Sequence, residues 1–153
     1  MELFRVTRFL YKDDLSGNGA ALHGGRWNHK PYPVLYCAGS RSLAMLETLV
    51  HLKQNQPPDD YCIVVLYVPD SASIQIVSEK DLAPDWKLNQ DITRNLGTSW
   101  LNQPSSLILR VPSVIVKAEW NYLINPRHPD FEQVKVIDSE PTQFDERFFS
   151  RNF

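Results

Sequence analysis

Cysteine is scarce in this chain: two residues, Cys37 and Cys62, among 153. Both lie inside apolar, strand-like runs, so they read as buried free thiols rather than as a disulfide framework. Metal-ligand spacing is missing too. The four histidines, His23, His29, His51 and His128, show neither the helical His-x-x-x-His spacing nor a cysteine pattern that points to zinc, and no metal is expected. Neither sign of charge is in excess, since 16 Lys and Arg against 18 Asp and Glu leave a formal net charge of -2. No cluster of Lys and Arg offers the footprint that a phosphate backbone requires, and no His pair stands ready for ribonuclease chemistry, which argues against direct nucleic-acid binding. No apolar run approaches the length of a membrane span, and Met1-Glu2-Leu3-Phe4-Arg5 runs into folded-looking sequence rather than a leader. No membrane partner is expected, and the expected compartment is the cytoplasm. Repeats and low-complexity tracts are absent, with the 11 prolines spread along loops.

What is present is ordinary globular composition, 42% hydrophobic and 22% charged, in a length that fits one domain spanning residues 1–153. A chain of this size buries roughly two thirds of its unfolded surface. Leu3 to Thr7 alternates as a short strand, and Tyr11 to Lys30 reads as a long polar loop. Pro33 to Ala38 suits a buried strand. Ser40 or Ser42 caps a helix running to about Gln54, with Pro57-Pro58 as its stop. Tyr61 to Val68, "YCIVVLYV", is the strongest strand and is continuous enough to be interior to a sheet. Further strands are expected at Ser73–Val77, Glu119–Ile124 and Val134–Ile137. Asp85 to Gln103 is weakly helical with Gly97 inside it, and Ser106 to Val116 is a strand broken at Pro112. The pattern is α+β, mostly antiparallel, with few helices. The aromatic tail, with Phe144, Phe148, Phe149 and Phe153, either closes the core or forms a subunit contact.

The residues that carry chemistry cluster early. "HGGRWN", His23 to Asn28, joins two glycines, which permit close backbone approach, to a guanidinium whose rigid fork of donors suits phosphate or carboxylate. The same stretch also reads as a plain turn, with Trp27 in the core and Arg26 paired to a surface acid. In the helix "RSLAMLETLVHLKQ", Leu43, Leu46, Leu49 and Val50 form the apolar face and Glu47 points toward the interior side. A carboxylate there needs a wet cleft or a cation partner, unless it sits at the edge of the stripe and reaches out to water. Tyr36 lies on the strand before that helix, and Arg26, Tyr36 and Glu47 fall within twenty-two residues. A loop, strand and helix of that size can bring the three to one crevice. Ser113, after Pro112, reads as a turn cap, and Asn121 and Asn125 read as turn formers.

The order and spacing of these pieces resemble the RES domain family, named for an Arg, a Glu and a Ser. The matching residues are Arg26 in "GGRWN", Glu47 in "LAMLETLVH" and Ser113 in "RVPSVIV", with Tyr36 in "PVLYCA" as the accompanying aromatic. The agreement extends through "LFRVTR", "NYLINPRHPDF" and "FDERFF". The resemblance implies an ADP-ribosyltransferase-like fold, a split antiparallel β sandwich with a few helices. It implies a toxin of a bacterial toxin–antitoxin pair that cleaves the nicotinamide–ribose bond of NAD and arrests growth. Cleavage would proceed by hydrolysis, by phosphorolysis or by ADP-ribose transfer to a protein. An Xre-type antitoxin would cover the cleft, with a homodimer or a larger hetero-oligomer as the assembly. In that frame Glu47 faces the charge developing on the sugar, and Arg26 holds the pyrophosphate with Gly24 and Gly25 close by. Tyr36 stacks on nicotinamide, and Ser113 bonds the ribose or carboxamide. Arg5 adds a second cation, a place that Arg8 could also fill. The alternative is a non-catalytic module that binds NAD, ADP-ribose or a protein on the same fold.

Overall fold

The structure is a computed structural model that describes residues 1–53, 56–103 and 105–149. Its strands are β1 (Glu2–Arg8), β2 (Leu35–Ala38), β3 (Tyr61–Tyr67), β4 (Ile74–Ile76), β5 (Ile108–Pro112), β6 (Trp120–Ile124) and β7 (Lys135–Thr142). Among the described residues three α-helices accompany them, α1 (Asn18–His23), α2 (Arg41–Leu49) and α3 (Gln90–Asn102), with short 3-10 turns besides. The strands form one seven-stranded sheet in the order β4-β5-β6-β2-β1-β3-β7. The apolar run of β3 lies between β1 and β7, with Cys62, Val64 and Leu66 buried on one face and Ile63 and Val65 on the other. Coverage on both faces is why that strand shows no alternation.

Neighbouring strands are antiparallel except β4 and β5, which run parallel. The chain leaves β4, forms α3 and returns to β5, and a connection of that length is what a parallel pair requires. The sheet is also nearly divided in two. β1 pairs with β3 along its whole length, from Glu2 opposite Tyr67 to Arg8 opposite Tyr61, but meets β2 at a single register pair, Phe4 opposite Ala38. The expected α+β class with few helices is thus present, its strands forming one mixed sheet that is narrowest between β1 and β2.

One face of the sheet carries two apolar clusters. Trp27, Trp86 and Trp100 pack with Leu109, Val111 and Leu123 beneath α3, while Leu43 and Ala44 of α2 pack on Phe4, Ile63 and Val65. The other face is closed by Leu3, Leu35, Val64, Leu66, Val68 and their neighbours.

Several local expectations need correction. The loop expected over Tyr11 to Lys30 contains α1, whose C-terminal end is marked by Gly24 at φ 69°. Ser40 rather than Ser42 caps α2, accepting from the Leu43 amide, and the helix ends at Leu49. Val50 and His51 beyond it are exposed, and Gln54 lies outside the described residues. α2 is also rotated from its expected face. Leu43 and Ala44 are buried, whereas Val50 is 58% exposed. Gly97, read as a weakness in its helix, is the point where α3 touches the Trp27 backbone, since a Cβ there would lie 1.9 Å from the Trp27 carbonyl oxygen. The break expected at Pro112 within Ser106–Val116 is the end of β5, where the ring nitrogen has no hydrogen to donate. In the tail, Phe144 packs edge-on against Tyr61 and Phe149 and closes the core, Phe148 is exposed, and Phe153 lies outside the described residues.

Candidate active site

The rotation of α2 decides what this face of the molecule can do. Ala44, Glu47 and Thr48, small or polar residues on one side of the helix, face a cleft of about 690 Å³ that opens where β1 and β2 part company. β1 contributes Arg5, β2 contributes Tyr36, α3 contributes Arg94, and the glycine loop contributes Gly25 and Arg26. Arg26, Tyr36 and Glu47 therefore do share one cavity, as the loop, strand and helix spacing predicted.

The glycine loop is built from behind. Asn28 is wholly buried, and its side-chain amide donates to the carbonyls of Ala20 at 2.9 Å and Tyr32 at 3.0 Å. Its Oδ1 accepts from the Tyr36 hydroxyl at 2.7 Å, and that hydroxyl accepts in turn from the Trp27 amide at 3.0 Å. Gly25 is required by this arrangement, because a Cβ there would stand 2.5 Å from the tyrosine oxygen. The space left by its missing side chain is filled by Tyr36. Thr93 of α3 donates to the Arg26 carbonyl at 2.6 Å, and the His29 amide donates to Thr98 at 2.9 Å. Arg26 and Trp27 do form a turn, closed by the Gly25–Asn28 bridge with Trp27 in the core, and these bonds make it a fixed platform for Arg26, which has no surface acid as partner among the described residues.

Glu47 is clamped on one side only. Its Oε1 accepts from Ser113 Oγ at 2.9 Å and from Asn121 Nδ2 at 2.6 Å, whereas Oε2 has no partner among the described residues. Two donors on one oxygen fix the plane of the carboxylate and leave the second oxygen for a ligand. Ser113 is buried and holds its own turn, accepting from the Ile115 and Val116 amides at 3.1 Å each. It reaches the cleft through Glu47 and does not line it. Asn121, expected to form a turn, sits in β6 and lines the cleft. Asn125 does form a turn, accepting from the Arg127 amide. The signal that could have found Asn121 is period two: it shares a sheet face with the buried Leu123.

Arg5, rather than Arg8, lines the cleft. Its Nη1 donates to the Asp14 carbonyl at 2.6 Å, while Arg8 is paired outside with Asp60. With Arg26 and Arg94, three arginines and one acidic residue, Glu47, line the cleft, in a chain whose net charge is -2. None of the three arginines has a carboxylate within ion-pair distance among the described residues. Burial pushes the Arg26 guanidinium below its ordinary value, with Glu47 pulling it back up and Arg94 adding to the depression. It stays protonated at neutral pH all the same. Burial raises the Tyr36 hydroxyl, so it remains a neutral donor to Asn28. Burial also lifts the Cys37 thiol to about 12, which keeps this cleft-lining cysteine out of nucleophilic chemistry. Among the described residues no three His, Cys, Asp or Glu side chains gather to hold a metal ion, and no helix is long and apolar enough to cross a membrane.

The RES domain family model matches residues 2–145. The chain belongs to the RES domain family. Among its RES relatives, "Toxin Res" of Yersinia enterocolitica is 39% identical over 147 residues, covering 94% of this chain and 95% of the relative. The "Prs ADP-ribosylating toxin" of a Sphingobium species is 38% identical over 143 residues, with 91% and 89% covered. A crystal structure titled as the M. tuberculosis MbcT–MbcA toxin–antitoxin complex superposes with a TM-score of 0.73 at 18% identity, covering 97% of this chain and 86% of that one. At that identity the likeness is one of fold alone. Glu47 and Ser113 are joined by a hydrogen bond across 66 positions of sequence.

Proposed function

We propose that the chain is the toxin of a bacterial toxin–antitoxin pair and that it cleaves the nicotinamide–ribose bond of NAD. The observation that carries this reading is the composition of the cleft: three arginines without carboxylate partners and one carboxylate with a free oxygen. A dianionic diphosphate joined to a sugar on which positive charge develops has the complementary pattern. Breaking the bond leaves an oxocarbenium-like ribose, and a carboxylate held in place beforehand favours that state over the ground state. Glu47 Oε2 supplies the charge, while Ser113 and Asn121 hold its orientation. Arg26 takes the diphosphate from the platform of the glycine loop, Tyr36 lies against nicotinamide, and Arg5 adds positive potential from β1.

The names of two relatives, a Res toxin and an ADP-ribosylating toxin, support both the toxin assignment and NAD chemistry. In the same reading an Xre-type antitoxin neutralises the chain by covering the cleft, as the pairing named in the solved complex suggests.

The test is release of nicotinamide from NAD by the purified chain. Glu47→Gln should lower the rate by about a hundredfold or more, the usual cost of removing one preorganised electrostatic group, with the melting curve as control for folding. Equal rates for the variant and the wild type would sink the assignment. Intact NAD recovered from a tight complex would identify a binding module instead. Product analysis with and without phosphate then separates free ADP-ribose, its phosphorylated form and a modified protein.

A further inference from the structure

Arg94 enters the cleft from α3, one turn beyond Gln90, and nothing in the sequence patterning marks it. Its Nε donates to the Gly25 carbonyl at 2.9 Å and its Nη2 to Gln90 Oε1 at 2.8 Å. A guanidinium has five N–H donors, so these two bonds fix its plane and leave the remaining hydrogens undirected. Nη1 has no partner among the described residues, and no carboxylate there lies within ion-pair distance. The residue whose carbonyl it holds, Gly25, directly precedes Arg26. Arg94 is thus tied to the loop that carries Arg26, whose own Nη1 donates to the Lys87 carbonyl at 3.3 Å, and both residues line the same cleft.

Like charges placed side by side are unfavourable unless something answers them, and the depression of Arg26 by Arg94 reports that repulsion. A single negative charge relieves one member of the pair. A diphosphate, with a charge on each phosphate, relieves both. Resting on the reading that the cleft takes NAD, we infer that Arg94 is a second diphosphate-gripping residue, acting with Arg26 and selecting dinucleotide diphosphates over uncharged nucleosides. The competing role is mechanical, with Arg94 merely bracing the Gly25 carbonyl so that Arg26 points correctly.

Calorimetric titration of the full chain with ADP-ribose at several salt concentrations separates the two roles, because it needs no turnover. Arg94→Gln should weaken binding about tenfold or more. It should also make affinity less sensitive to salt, giving a shallower plot of log affinity against log salt, since one screened charge–charge contact is gone. Arg94→Lys, which keeps a cation but cannot reproduce the two fixed bonds, should bind more weakly than wild type yet restore the salt slope. Equal losses in the two variants with an unchanged slope would assign Arg94 to bracing alone and overturn the proposal. Wild-type affinity in Arg94→Gln would overturn it as well. If Arg94→Gln does not fold, Arg94→Met, uncharged and of similar reach, takes its place: weaker binding with a shallower slope supports the grip, and an unchanged slope refutes it. A wild-type chain that ignores ADP-ribose overturns the reading of the cleft itself, a result distinct from an altered variant.

Discussion

Arg5, Arg26 and Arg94 face one cleft, and none has a carboxylate within ion-pair distance among the described residues. Arg8, Arg41 and Arg147, on the outer surface, hold Asp60, Glu140 and Asp145. The Arg41 pair is bidentate, with Nε and Nη2 on the two oxygens of Glu140, and its guanidinium also stacks on Phe4 at 4.6 Å. The outer arginines satisfy their charge within the fold, where water screens the pairing and little stability is gained. The cleft arginines leave theirs unsatisfied while losing part of their hydration, an arrangement that costs stability and keeps the field available to a ligand. What differs is the company each guanidinium keeps, since the side chain is the same.

The strongest way to break the contrast is to remove the platform under Arg26. Gly97→Ala would drive a methyl group into the Trp27 carbonyl, 1.9 Å from the new Cβ. Separating α3 from the loop should cost at least ~3 kcal/mol in denaturant unfolding. A near-neutral result would mean that α3 does not fix the loop. A milder change, Arg26→Gln, should leave the melting temperature unchanged or raised while weakening ADP-ribose about ten- to a hundredfold. Its counterpart Arg41→Gln should do the reverse, lowering the melting temperature slightly with ligand affinity unaltered. Comparable effects of the two on affinity would erase the distinction between the two sets.

The smallest effect is in the pH dependence. Because the Tyr36 hydroxyl is raised in the fold, its contribution to stability is whole below the ordinary tyrosine value near 10 and drains as pH climbs beyond it, where the unfolded chain gives up the proton first. Tyr36→Phe loses the bonds to Trp27 and Asn28 at all pH values, at a cost of about 1–3 kcal/mol. Above pH 10 its melting temperature should fall less steeply than that of the wild type. Cys37 titrates in both proteins, so it drops out of the difference. Parallel curves would show that Tyr36 is not the group being titrated.

Much of this was legible before the fold was known, where a local signal existed. The unbroken apolar run of β3 and the serine ahead of α2 declare themselves within a few residues, because caps and strand burial are short-range effects. The apolar face of α2 misled, since leucines at helical spacing outnumber the small and polar residues that in fact turn inward. Only the opposing sheet shows that Ala44 and Thr48 make room for a ligand.

Residue order by itself determined the elements, the family and the pairing of an arginine loop with an acidic helix. Tertiary structure alone decided that Asn121, 74 positions from Glu47, would hold its carboxylate, and that Arg94 would stand beside Arg26. The reason is physical. A hydrogen bond between residues remote in the chain is set by how strands register and helices rotate against one another, and no window of neighbouring residues carries that information.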